Sequence, residues 1–165
     1  MQKADSLLGS WRGPVLFFTV SLIVAADQLT KAWVTSFDVG EVIFKLGFFR
    51  LVHVQNTGAA FGIFQGQSFI LTIVAVIGII VLLFLVFFLR RSYPFLAGMT
   101  NIVAFSLMLG GTTGNLIDRL RQEGRVTDFL DVGFWPAFNV ADSAIVVGVI
   151  IVAYSLVRLT RAEKQ

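Results

Sequence analysis

The feature that most limits this chain is the run from Phe69 to Leu89, 21 residues without a charge, which stops at Arg90-Arg91. A helix of about 20 apolar residues matches the hydrocarbon thickness of a bilayer. Two further runs have the same character: Pro94 to Ile117 carries no charge, and Phe138 to Val157 carries only Asp142. A fourth, Pro14 to Phe37, is clean only as far as Ala26. Its start, with Lys3 and Arg12 before an apolar stretch and Val24-Ala25-Ala26 after it, imitates a secretory signal. The helical pattern nevertheless continues past Asp27 through Leu29, Ala32, Trp33 and Val34, with Asp27 and Lys31 one turn apart and able to pair. The reading is an all-α membrane domain over residues 1–165, with spans at about 14–37, 69–89, 94–117 and 138–157.

Composition agrees. Only 14% of residues are charged and 56% are hydrophobic, too few polar side chains to cover a water-soluble globule. Four spans leave no room for a second soluble domain. The 13 Lys and Arg are scattered among apolar runs and make no phosphate-binding stripe, so nucleic acid is not an expected partner. Membrane lipids are. The absence of cysteine excludes thiol chemistry and disulfides. One histidine, His53, excludes a histidine-rich metal site, and no metal or cofactor is expected. His53 itself reads as a strand-surface or interfacial residue. Trp11, Trp33 and Trp135 suit the membrane interfaces.

Charge placement orients the domain. With four spans, both termini lie on the side of Arg90-Arg91, where seven basic residues face two acids. The opposite side and span ends hold six basic residues and eight acids. Both termini are therefore expected in the cytoplasm, with loops at about 38–67 and 118–137 facing outward. Residues 42–55 are rich in β-branched and aromatic types and read as one or two short strands, a small extracytoplasmic β element after the first helix.

A carboxylate at membrane depth is costly and marks a functional position. The candidates are Asp27, Asp118, Asp128, Asp131 and Asp142, all near the outward span ends or in the second outer loop. No His-Glu-x-x-His or Gly-x-Ser-x-Gly segment occurs, so serine and metal mechanisms lack parts. Carboxylate chemistry remains: two aspartates held close share a proton, one acting as base on a water while the other donates to a carbonyl oxygen. Spacing alone does not choose the pair. Asp118 next to Arg119 reads equally as a salt-bridged residue, Asp131 as solvated, and Asp142 as an acid favoured at a helix N-terminus. Asn115 and Arg119, four apart, share a helix face. Gly110, Gly111 and Gly114 have a spacing that allows close helix packing. A proton relay in a small transporter subunit is the alternative use of such acids, although these cluster at one end and no inverted repeat is visible.

Five segments in order then resemble the lipoprotein signal peptidases, the type II signal peptidases of bacteria. They are Asp27-Gln28-Leu29-Thr30-Lys31, Asn56-Thr57-Gly58-Ala59-Ala60-Phe61-Gly62, Gly110-Gly111-Thr112-Thr113-Gly114-Asn115-Leu116-Ile117-Asp118-Arg119, Val126-Thr127-Asp128-Phe129 and Phe138-Asn139-Val140-Ala141-Asp142-Ser143. The resemblance implies an aspartic endopeptidase of the inner membrane. It would remove the signal peptide from a diacylglyceryl-modified prolipoprotein by cutting before the lipid-bearing cysteine. It implies Asp128 and Asp142 as the catalytic pair. Asn56, Asn115, Arg119 and Asn139 would line the substrate site, and Asp27, Lys31, Gly58 and Asp118 would give structural support. Thr127 stands where the family commonly has valine, Thr112 where it often has alanine, and the segment from Val132 to Ala137 is short. Oligomeric state is left open.

Overall fold

A computed structural model describes residues 2–58, 66–88 and 98–162, with side chains from residue 11 onward. The Arg90-Arg91 turn, the start of the run from Pro94 and the Ala59–Gly62 part of the second motif lie outside those residues. Four helices and three strands follow in the order α1 (Gln2–Val34), β1 (Val42–Leu46), β2 (Phe49–Asn56), α2 (Ser68–Phe87), α3 (Met99–Arg121), β3 (Val126–Asp131) and α4 (Val140–Ala162).

Among the described residues, three helices are long and apolar enough to cross a membrane: Trp11–Val34, Ser68–Phe87 and Val140–Ala162. α3 falls short by composition, although it occupies the centre and packs against all three others. The reason is positional. A central helix faces protein rather than lipid, so its polar side chains find partners. Asn101, Ser106, Asn115 and Asp118 are all buried. Its first half carries Ile102, Phe105 and Leu109, which pack with Leu82 and Val86 of α2 in the apolar core. Its second half is polar and builds the site.

Glycines set how closely the helices meet. A Cβ at Gly110 would lie 2.9 Å from Ile23 Cβ on α1, and one at Gly111 would collide with Ala141 O on α4. At Gly114 it would stand 2.5 Å from Asp27 Oδ2. The glycine run anticipated for helix packing thus brings the backbone of α3 against the two helices that carry Asp27 and Asp142.

The strands form an antiparallel sheet in the order β1-β2-β3. Gly47, with φ +59, takes the first turn position between Leu46 and Phe49, where a two-residue II′ hairpin turn needs positive φ.

The first span, expected at about 14–37, falls within a helix that starts at Gln2, and the part of that helix long and apolar enough to cross a membrane is Trp11–Val34. Three other expectations need correction. α3 runs on to Arg121, so Asp118 is helical rather than part of a loop. The outer segment 118–137 contains β3, which pairs with β2 through Val54↔Asp128 and Asn56↔Val126. Pairing across 70 residues or more leaves no local signal. Finally, His53 is buried, not at the surface. Its Nδ1–H donates to Phe37 O at 2.8 Å, and its backbone bonds to Gly40 and Glu41, fastening the turn after α1 onto β2.

Candidate active site

Asp128 and Asp142 are brought together by a short return of the chain. Phe138 exchanges backbone hydrogen bonds with Leu130 at 2.8 and 3.0 Å, closing the loop after β3. Asn139 then begins α4. Its Oδ1 accepts from Asp142 N at 2.9 Å, while Asp142 Oδ2 accepts from Asn139 N at 3.2 Å. This is a reciprocal capping box with Asp at the third helical position. The geometry fixes one oxygen of Asp142 and turns the Asn139 amide inward.

That amide donates to Asp128 Oδ1 at 2.7 Å. Asn56, diagonal to Asp128 on the same face of the sheet, donates to Oδ2 at 2.9 Å. Asn115 donates to Asp142 Oδ1 at 2.7 Å. Each of the four carboxylate oxygens therefore receives one N–H. Both acids line a cavity of about 220 Å³, along with Asn56, Gly58, Asn115 and Arg119. Asn139 is fully buried beneath it. Burial, and then the charge of Asp142, push the Asp128 carboxyl up to about 7, against the pull of the two asparagine amides and Lys31.

Beneath this layer lies a buried ionic cluster. Lys31 Nζ sits 2.8 Å from Asp27 Oδ2 and 2.9 Å from Asp118 Oδ2, with all three side chains at most 3% exposed. The expected Asp27–Lys31 pair is present, and Asp118 pairs with Lys31 instead of its neighbour Arg119. The cluster also reaches the site. Lys31 donates to Asn115 Oδ1 at 2.9 Å, which obliges the Asn115 NH₂ to face Asp142. Asp27 Oδ1 accepts from Ala141 N at 2.9 Å, a first-turn amide of α4. Asp118 Oδ2 accepts from Thr127 N at 3.2 Å, one residue before Asp128. Gly58 donates its N–H to Asn56 Oδ1 at 2.9 Å and so aims the Asn56 amide at Asp128.

Arg119 differs from its neighbours. Its guanidinium lines the cavity, with one NH 3.5 Å from Asn115 O and Nε buried without a hydrogen-bond partner among the described residues. Its Nε is a cationic donor at the cavity left available to a ligand. Asp131 stands apart, paired with Arg50 and accepting from Gly133 N at 2.7 Å. Sequence reasoning missed several apolar lining residues, among them Trp135, which was assigned to a membrane interface and borders the cavity. An isolated tryptophan in a short loop carries no sequence signal for such a place.

The arrangement is that of two neighbouring carboxyls in a small cavity, with a guanidinium beside them whose Nε has no hydrogen-bond partner among the described residues. Comparisons with known proteins bear on the chain as a whole. A lipoprotein signal peptidase of Dehalococcoides mccartyi is 48% identical over 140 residues, 84% of this chain and 86% of that protein. Another from Moorella thermoacetica is 44% identical over 137 residues, covering 82% and 87%. A solved bacterial membrane enzyme, 31% identical, superposes with a TM-score of 0.75 over 88% of each chain. A family model described as signal peptidase (SPase) II matches residues 19–158, and the chain belongs to that family, a peptidase family of the bacterial membrane.

Proposed function

We propose that this chain is an intramembrane aspartic endopeptidase that cuts diacylglyceryl-modified prolipoproteins just before the lipid-bearing cysteine, with Asp128 and Asp142 as the catalytic pair. The observation that carries the reading is the pairing of these two carboxyls in one cavity, each oxygen held by an amide or a backbone N–H. The pair holds one shared proton. The ionised member takes a proton from water, whose oxygen attacks the scissile carbonyl, while the protonated member donates to the carbonyl oxygen. The resulting tetrahedral diol collapses as a proton passes to the departing cysteine nitrogen. Asn56, Asn115 and Asn139 hold the acids in place, and Arg119 holds a peptide carbonyl of the substrate.

Four helices crossing the bilayer complete the proposal, with α3 shielded from lipid by the others and both termini in the cytoplasm. The cleavage site of a translocated signal peptide then meets the acids near the outer face. Purified protein incubated with a diacylglyceryl-modified prolipopeptide should release the signal peptide, read by mass spectrometry. Proton flux in liposomes without cleavage would overturn the assignment in favour of a relay.

The raised carboxyl of Asp128 sets a pH dependence. Loss of the shared proton above about pH 7 should lower kcat/KM about tenfold per pH unit well into the alkaline limb. Stability follows the same group. Asp128 binds its proton more tightly when folded than at its ordinary value near 4. Its contribution is fully present below about pH 4 and lost as pH rises to about 7. Thermal unfolding across that window should show the decline, and Asp128→Asn should flatten it.

A further inference from the structure

Below the acid pair, all three hydrogens of the Lys31 ammonium are engaged. One meets Asp27 Oδ2 at 2.8 Å and one meets Asp118 Oδ2 at 2.9 Å, which already balances the charge. The third goes to a neutral atom, Asn115 Oδ1, at 2.9 Å. That bond adds nothing to the ion pairs, yet it bears on Asn115, which lines the cavity beside Asp142.

An asparagine amide can turn over, exchanging its oxygen with its NH₂. As observed, Asn115 Nδ2 donates to Asp142 Oδ1 at 2.7 Å. Turned over, it would set a carbonyl oxygen against the Asp142 carboxyl. The donors on Asn115 Oδ1 oppose that turn. Asn139 Nδ2 is one of them, at 3.2 Å, but it also reaches Thr127 O at 3.3 Å and Asp128 Oδ1 at 2.7 Å. Its two hydrogens thus serve three acceptors. Lys31 supplies the shorter, charge-assisted bond, and its ammonium would repel an NH₂ turned toward it.

We propose that Lys31 is a positioning residue for hydrolysis: its third N–H holds the Asn115 amide with the NH₂ on Asp142, a role beyond bracing α1 against α3. The inference rests on the peptidase reading. With the amide held, each oxygen of Asp142 keeps one N–H, from the Asn115 side chain and the Asn139 backbone. With the amide able to turn, part of the population presents a carbonyl oxygen to Asp142 and does not react. Lys31 does not line the cavity, so the effect falls on turnover rather than on substrate binding.

The test uses the neutralised cluster, Asp27→Asn, Lys31→Met and Asp118→Asn together, which removes the N–H without leaving a buried charge unpaired. Bracing alone predicts that turnover returns wherever the fold does. Positioning predicts a folded protein with kcat about tenfold below wild type at unchanged KM. Wild-type kcat in that protein overturns the proposal, as does a rise in KM with kcat unchanged. Adding Asn115→Ala closes a double-mutant cycle. It should lower kcat severalfold less in the neutralised cluster than in the wild type, and equal losses overturn the proposal. A second comparison does not need the triple variant to fold. It sets Lys31→Gln, which keeps an N–H donor, beside Lys31→Met, with kcat counted per molecule able to bind a prolipopeptide whose scissile amide is a methylene amine. The Gln form should turn over several times faster, and equal rates overturn the proposal. Wild-type protein that does not cleave the prolipopeptide overturns the peptidase reading instead, so the two failures are distinct.

Discussion

Asp128→Asn should abolish cleavage, lowering kcat on the order of a thousandfold, while leaving the protein at least as resistant to unfolding as the wild type. The two outcomes have one cause. The asparagine is isosteric and still accepts a hydrogen bond, but it cannot exchange the proton the reaction needs. It also removes a carboxyl that is buried and lies in the field of Asp142. Groups that work are often held at a cost to stability. Asp142→Asn should behave alike in kcat. Asp131→Asn should stay close to wild type, because its partner Arg50 is 41% exposed and such pairs contribute little. Turnover measured beside thermal unfolding in detergent separates the readings. Loss of stability along with activity would make Asp128 a structural residue, and full activity would remove it from the mechanism.

Lys31→Met should be the most destabilising single change at the site, by about 3–5 kcal/mol, because it leaves two buried carboxylates facing each other without a counter-ion. Lys31 Nζ touches both carboxylates directly, at 2.8 and 2.9 Å, and all three side chains are buried. The loss should be largely recovered when the cluster is neutralised as a whole, as Asp27→Asn, Lys31→Met and Asp118→Asn together. Breaking a buried pair is costly, whereas replacing it entirely is often neutral. Denaturant unfolding of the single and triple variants checks this. A single variant as stable as the wild type would mean that the cluster is hydrated.

What was legible in the sequence follows the range of the interactions. The Asp27–Lys31 pair is an i,i+4 contact and could be read directly. The hairpin of β1 and β2 is also local, and residues 42–55 carried its composition. β3 was not legible, because Val126 to Asp131 becomes a strand only by pairing with β2. α3 was legible only in part. Its lack of charge marked a span at about 94–117, but not that its polar half, from Thr112 to Asp118, meets α1 and α4. The choice of Asp128 with Asp142 came from the ordered motifs, since spacing alone left five aspartates open. The structure supplies the physical reason the two meet: the backbone exchange between Leu130 and Phe138 and the Asn139 amide between them. His53 shows the remaining gap. A lone histidine on a short strand gives no sign of whether it faces water or the end of a helix.

The bond from Ala141 N to Asp27 Oδ1 bears on how the molecule is made. Synthesis runs from α1 to α4, so Asp27 exists long before its donor does. Until the last helix docks, Asp27 lacks this amide, Asn115 faces no carboxylate, and Asp128 stands without Asp142. A nascent chain that stalls before α4 carries one half of the acid pair and no reactive centre. The hydrogen bonds around the acid pair thus close only when the last helix docks.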